Sequence, residues 1–275
     1  MSYLCFRSSY SLMTEPETAV GGDETTRSKP AADPEWNGLY KAGAIILVVF
    51  SFVGFFLFLM SLDKTSWALG TSNDPAAQLQ LVARHLPFYT LGTSLWLIDD
   101  LVTILPVLAV YLVLRPVSRT GALAGAVFSL AYAVFDVCVT EMNSLTLNQL
   151  AYSYGNAATP ALQNTYVTAA AYGLSAIPAQ TVMTFGIGAV GYLIYSIVMW
   201  KSFFGKATAA LGIVANVVGI FGAAASVAPS SGAFVVLGLL ELATVPLTAV
   251  WTLVVGIKLY HFSRRNGAPT LAPEH

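Results

Sequence analysis

The chain has 275 residues, of which 56% are hydrophobic and only 10% charged, with a mean hydropathy of +0.69. This lies outside the range of soluble domains and is the composition of a membrane protein. With a net charge of -1 and Arg264-Arg265 as the only basic run, nucleic-acid binding is excluded, because a phosphate-contacting surface needs clustered Lys and Arg.

Residues 1–40 mix Ser, Thr, Glu, Pro and Gly without apolar periodicity and read as a disordered polar tail, without the basic start and apolar core of a cleaved signal peptide. Met13 is an ordinary alternative start. Residues 41–260 read as a transmembrane domain and 261–275 as a second tail. Six stretches reach the roughly 20 residues that cross a hydrocarbon core, at about 42–61, 88–114, 120–140, 180–200, 207–226 and 232–257. Backbone groups cannot stay unpaired in lipid, and these runs lack the alternation of barrel strands. The expected fold is therefore an all-α, polytopic bundle of six helices embedded in the lipid bilayer of the cytoplasmic membrane.

Charge placement gives the expected orientation. With the N-terminus inside, eleven Lys and Arg fall in cytoplasmic segments and only Lys64 and Arg84 in outer ones, so both termini are expected in the cytoplasm. The segments 62–87 and 141–179 then face outward. Each carries a helix start, with Asp74 before Pro75 and Thr159 before Pro160, and both continue as Pro-Ala-x-Gln. Short extracytoplasmic cap helices are expected there, with Tyr152, Tyr154, Tyr166 and Tyr172 as amphipathic surface. Gly43, Gly125 and Gly212 near the starts of helices one, three and five fit a threefold repeat of helical hairpins, or small residues that simply recur at helix contacts.

Four acids fall within spans, namely Asp99, Asp100, Asp136 and Glu241, and Glu141 lies at the end of one; no Lys, Arg or His accompanies them. Asp100 is 15 residues from Arg115, Asp136 is 17 from Arg119 and Glu241 is 17 from Lys258. At about 1.5 Å per residue, all three sit roughly 22 to 26 Å from the inner boundary, in the outer half of the membrane. Helical spacing groups Trp96, Asp99, Asp100 and Thr103 in one stripe, Ser129, Tyr132, Asp136 and Thr140 in a second, and Gly238, Glu241, Thr244 and Thr248 in a third; helix four offers Thr181, Thr184, Tyr192 and Tyr195. Acids facing lipid are costly, so these stripes are expected to line one shared pocket. Pro106 and Pro246, below Asp100 and Glu241, each free a carbonyl that adds an oxygen there, or merely set packing.

Carboxylates gathered without basic partners must be protonated, hydrogen-bonded to Tyr, Trp and Thr, or neutralised by a cation. Three function classes follow: a transporter-like or solute-sensing protein taking a small cation, a proton or an apolar small molecule; an intramembrane enzyme using an Asp or Glu as general acid on an isoprenoid or lipid; or an accessory scaffold in which the acids serve only packing. No cofactor and no metal site is expected, because His85, His261 and His275 are scattered and Cys5 and Cys138 lack a ligand spacing. "GIGAVG" at 186–191 lies in a spanning helix with no preceding strand and reads as a packing face rather than a dinucleotide loop. "DDLVT" at 99–103 lacks the last acid of the prenyl-diphosphate DDxxD box and has no second acidic box.

Six spans, the turn "VYLVLRPVSRTGALAG" and the ending "VWTLVVGIKLYHFSRR" resemble a bacterial family of multi-pass membrane proteins catalogued as a domain of unknown function, over about residues 38–264. The resemblance implies an integral membrane protein and carries over no catalytic residue.

Overall fold

The computed structural model describes residues 34–61, 74–226 and 231–266, with side chains over 35–59, 74–224 and 243–265. The described residues are helical and include six helices long and apolar enough to cross a membrane. Span one is α1 (Asn37–Ser61); a short helix α2 (Pro75–Arg84) follows; span two is α3 (Leu86–Val102) continued by α4 (Ile104–Leu114). Span three is α5 (Arg119–Phe135), a π-helical turn (Asp136–Glu141) and α6 (Met142–Gly155). Span four is α7 (Pro160–Thr181), a second π-turn (Val182–Gly186) and α8 (Ile187–Met199), and spans five and six are α9 (Gly205–Ser226) and α10 (Ser231–Asn266).

Each helix packs against the next, and span six returns to lie along span one, so the six close into a ring. Short turns force this order, since chain neighbours joined by a few residues become antiparallel partners. Ser118 caps α5 by accepting from the Gly121 amide at 3.2 Å, and Gly205, at φ 76°, makes the left-handed turn between spans four and five. Lys258 then ties span six to that turn, donating to the Phe204 carbonyl and, at 2.7 Å, to the Thr208 hydroxyl.

Absent side chains set the closeness of the crossings. A Cβ on Gly43 would meet Ala109 and Pro106 at 3.0 Å, one on Gly125 the Tyr195 ring at 2.6 Å, and one on Gly191 the Ser129 hydroxyl at 2.7 Å. Gly188 likewise lies against Tyr132. The "GIGAVG" stretch thus packs span four onto span three, as small residues do where lipid gives helices no hydrophobic reason to associate. The main core lies at the Arg115 end of the ring, around Val110, Leu114, Tyr195, Met199 and Leu259.

Spans three and four depart from the expected lengths. At 37 and 40 residues, their helices run on past the level where 120–140 and 180–200 place their ends. The segment 142–179 is a helical hairpin continuing these spans, rather than separate helices laid over them, because no helix stop follows Glu141 and the helix carries on through Pro178. With α2 the hairpin forms a cap with its own small core of Leu79, Val82, Ala151 and Ala170. Tyr154 and Tyr166 pack on that core, whereas Tyr152 and Tyr172 are exposed. Both helix starts are as the sequence indicates: Asp74 accepts from the Ala76 amide at 2.9 Å and Thr159 from the Leu162 amide at 3.3 Å. The ordered helix begins at Asn37 rather than after residue 40 and continues to Asn266, past the expected end at 260.

Candidate functional site

The adjacent aspartates Asp99 and Asp100 serve two different places. Consecutive helical residues point about 100° apart. Asp99 therefore faces the centre of the ring, and Asp100 turns toward span three, where it joins Asp136 and Glu141. The sequence grouping of Trp96, Asp99, Asp100 and Thr103 as one stripe is corrected accordingly: Trp96, Asp99 and Thr103 share the cavity, and Asp100 lies outside it.

Asp100, Asp136 and Glu141 each place a carboxylate oxygen within 4.8 Å of the other two. They are 3%, 8% and 6% exposed, so water screens none of them freely. Their meeting depends on the π-turn. In a regular α-helix, residues five apart diverge by about 140°, which would send Glu141 away from Asp136. The wider π-turn brings both to one side, an arrangement frequent at functional sites. The second π-turn, four residues after Pro178, stands opposite and supplies Thr184, which donates to Asp136 Oδ1 at 3.2 Å and lies 2.9 Å from the Thr140 hydroxyl.

Asp136 is the hub. The Thr184 hydroxyl donates to it, Thr140 stands hydrogen-bonded behind Thr184, and Tyr132 and Asp100 lie close by. Beyond this hub, Asp100 Oδ2 and Glu141 Oε2 are buried with no hydrogen-bond partner. Among the described residues, none of the three acids has a basic partner. Buried carboxylate oxygens left in this state are costly, and a bound cation or additional protons would satisfy them.

The second feature is a cavity of about 190 Å³ at the ring's centre, to which all six spans contribute. Trp96, Asp99 and Thr103 come from span two, Tyr132 from span three, Thr184 and Tyr192 from span four, and Thr244 and Thr248 from span six. Edge-to-face contacts run from Tyr132 to Tyr192 and from Tyr192 to Trp251, with centroids 6.3 and 5.6 Å apart. Beneath, the buried Tyr195 hydroxyl donates to the Val107 carbonyl at 3.0 Å and closes the cavity toward the core.

Of the other candidates, Ser129 is wholly buried against Gly191, and the Thr181 hydroxyl donates to its own helix at the Ile177 carbonyl. The side chains of Gly238 and Glu241 fall outside the described residues. Pro106 borders the cavity, and its missing N–H leaves the Val102 carbonyl without its helical donor. Glu141 is the residue that α-helical spacing misses, because a π-turn has no signature in residue order. Asn216, also on the cavity wall, carried no signal beyond its polarity; its amide donates to the Gly212 carbonyl at 2.7 Å.

These six apolar helices and their buried carboxylate cluster are compatible with a multi-pass membrane protein. No family model, curated protein or solved structure matches the chain.

Proposed function

We propose that this protein is a transporter-like or sensing membrane protein that binds a hard divalent cation at Asp100, Asp136 and Glu141. The observation that carries the reading is the pair of buried, partnerless oxygens, Asp100 Oδ2 and Glu141 Oε2, in a three-carboxylate cluster without a base. Oxygen-only ligation by carboxylates suits Ca²⁺, Mg²⁺ or Mn²⁺ rather than a thiolate- or imidazole-seeking metal. The Thr184 hydroxyl, itself bonded to Thr140, holds Asp136 in place, as outer partners do for metal ligands. Ligands must be deprotonated to bind, so cation and protons compete for the same oxygens. That exchange is what a cation–proton coupled membrane protein requires.

The test is thermal unfolding of the full chain in mild detergent with millimolar CaCl₂, MgCl₂ or MnCl₂ against equal ionic strength of KCl. A cation present at 100 times its dissociation constant should stabilise by about 2.7 kcal/mol, and Asp136→Asn or Glu141→Gln should remove the effect. Equal unfolding temperatures in all salts would reject the cation.

A further inference from the structure

The central cavity adjoins the carboxylate cluster but differs from it in chemistry. Its lining is mostly carbon, with the rings of Trp96, Tyr132 and Tyr192. Several of its hydroxyls are already engaged: Ser51 with Thr252 at 2.8 Å, and Thr184 with Asp136 at 3.2 Å. Asp99 is different. Among the described residues its carboxylate accepts no hydrogen bond and has no basic partner, and the nearby charge of Asp136 only adds to the negative field. One carboxylate in an aromatic, largely apolar chamber cannot supply the six or more oxygens of an inorganic divalent ion. It matches an organic cation, whose charge pairs with the acid while its body replaces water against the rings.

We propose that the cavity binds a small organic ammonium ion, with its charge on Asp99 and its apolar body against Trp96, Tyr132 and Tyr192. Size narrows the class. A cavity of about 150 Å³ holds a benzene ring. One of about 190 Å³ therefore suits a single ring or short branched chain bearing a substituted ammonium. This site does not depend on the cation proposed for Asp100, Asp136 and Glu141.

The experiment is equilibrium dialysis of tritiated benzyltrimethylammonium with the full chain in nanodiscs, with protein-free nanodiscs subtracted. Saturable uptake of one ion per chain is expected, weakened at least ten-fold by Asp99→Asn and retained by Asp99→Glu. Neopentylbenzene, the neutral counterpart of the same shape, should compete at least ten-fold less well than the unlabelled cation. Absence of saturable uptake, equal competition by the neutral molecule, or full affinity in Asp99→Asn would overturn the proposal. Should Asp99→Asn fail to fold, Thr248→Leu narrows the cavity without touching an acid and must weaken uptake; unchanged uptake also overturns it. Glu141→Gln separates the two sites, because it should abolish stabilisation by divalent ions while leaving ammonium uptake within three-fold.

Discussion

Thr140 and Thr184 offer the sharpest test of the carboxylate hub, since valine reproduces threonine's shape without its hydroxyl. Thr184 donates to Asp136 and accepts from Thr140, whose hydroxyl lies 2.9 Å away, so Thr184→Val removes both bonds and Thr140→Val only the mutual one. A hydrogen bond to a charged group contributes about 1.5 to 3 kcal/mol and one between neutral groups about 0.5 to 1.5. The 3.2 Å separation from Thr184 to Asp136 Oδ1 places that bond at the weak end, so Thr184→Val should lose about 2.5 kcal/mol and Thr140→Val about 1 kcal/mol. In the double variant the mutual bond is lost once rather than twice, and the total should fall short of the sum by about 1 kcal/mol. The assay is a double-mutant cycle on the full chain, by reversible SDS titration from mixed micelles. Additivity within about 0.5 kcal/mol would refute the view that the facing π-turns act as one hydrogen-bonded unit.

Divalent stabilisation should weaken as pH falls, because protons reoccupy the carboxylates; an unchanged apparent affinity between pH 8 and pH 5 would argue against ligation by the acids. Gly191→Ala should destabilise by about 1 to 3 kcal/mol, because its Cβ would meet the Ser129 hydroxyl at 2.7 Å, whereas Gly38→Ala, with nothing within 4 Å, should be neutral or slightly stabilising in the same titration. Asn143→Leu removes donors to the Gly173 carbonyl at 3.0 Å and Gln180 Oε1 at 3.1 Å, and should speed amide exchange along α7; unchanged protection would show that the apolar core alone holds the hairpin. Reporter fusions should place residues 115–120 and 201–206 in the cytoplasm and 142–179 outside, and a cytoplasmic signal near Asn156 would reverse the charge-based orientation.

Sequence alone determined the class and outline of this protein, because lipid leaves a chain few options. Apolar runs of membrane length must become helices, and Asp74–Pro75 and Thr159–Pro160 start helices through interactions spanning two or three residues. Similar counts, 15 from Arg115 to Asp100 and 17 from Arg119 to Asp136, likewise put two acids at nearly one depth on antiparallel neighbours. What order of residues could not decide was helical phase. A one-residue widening of the helix at Asp136–Glu141 rotates everything beyond it, so Glu141 joins a cluster from which α-helical spacing excludes it. Ring closure then decided that Asp99 and Asp100, neighbours in the chain, serve different places. Which side of a helix meets a cavity and which meets another helix depends on where all six axes settle, and those positions follow from contacts such as Gly125 on Tyr195 and Gly191 on Ser129 that join residues far apart in the chain.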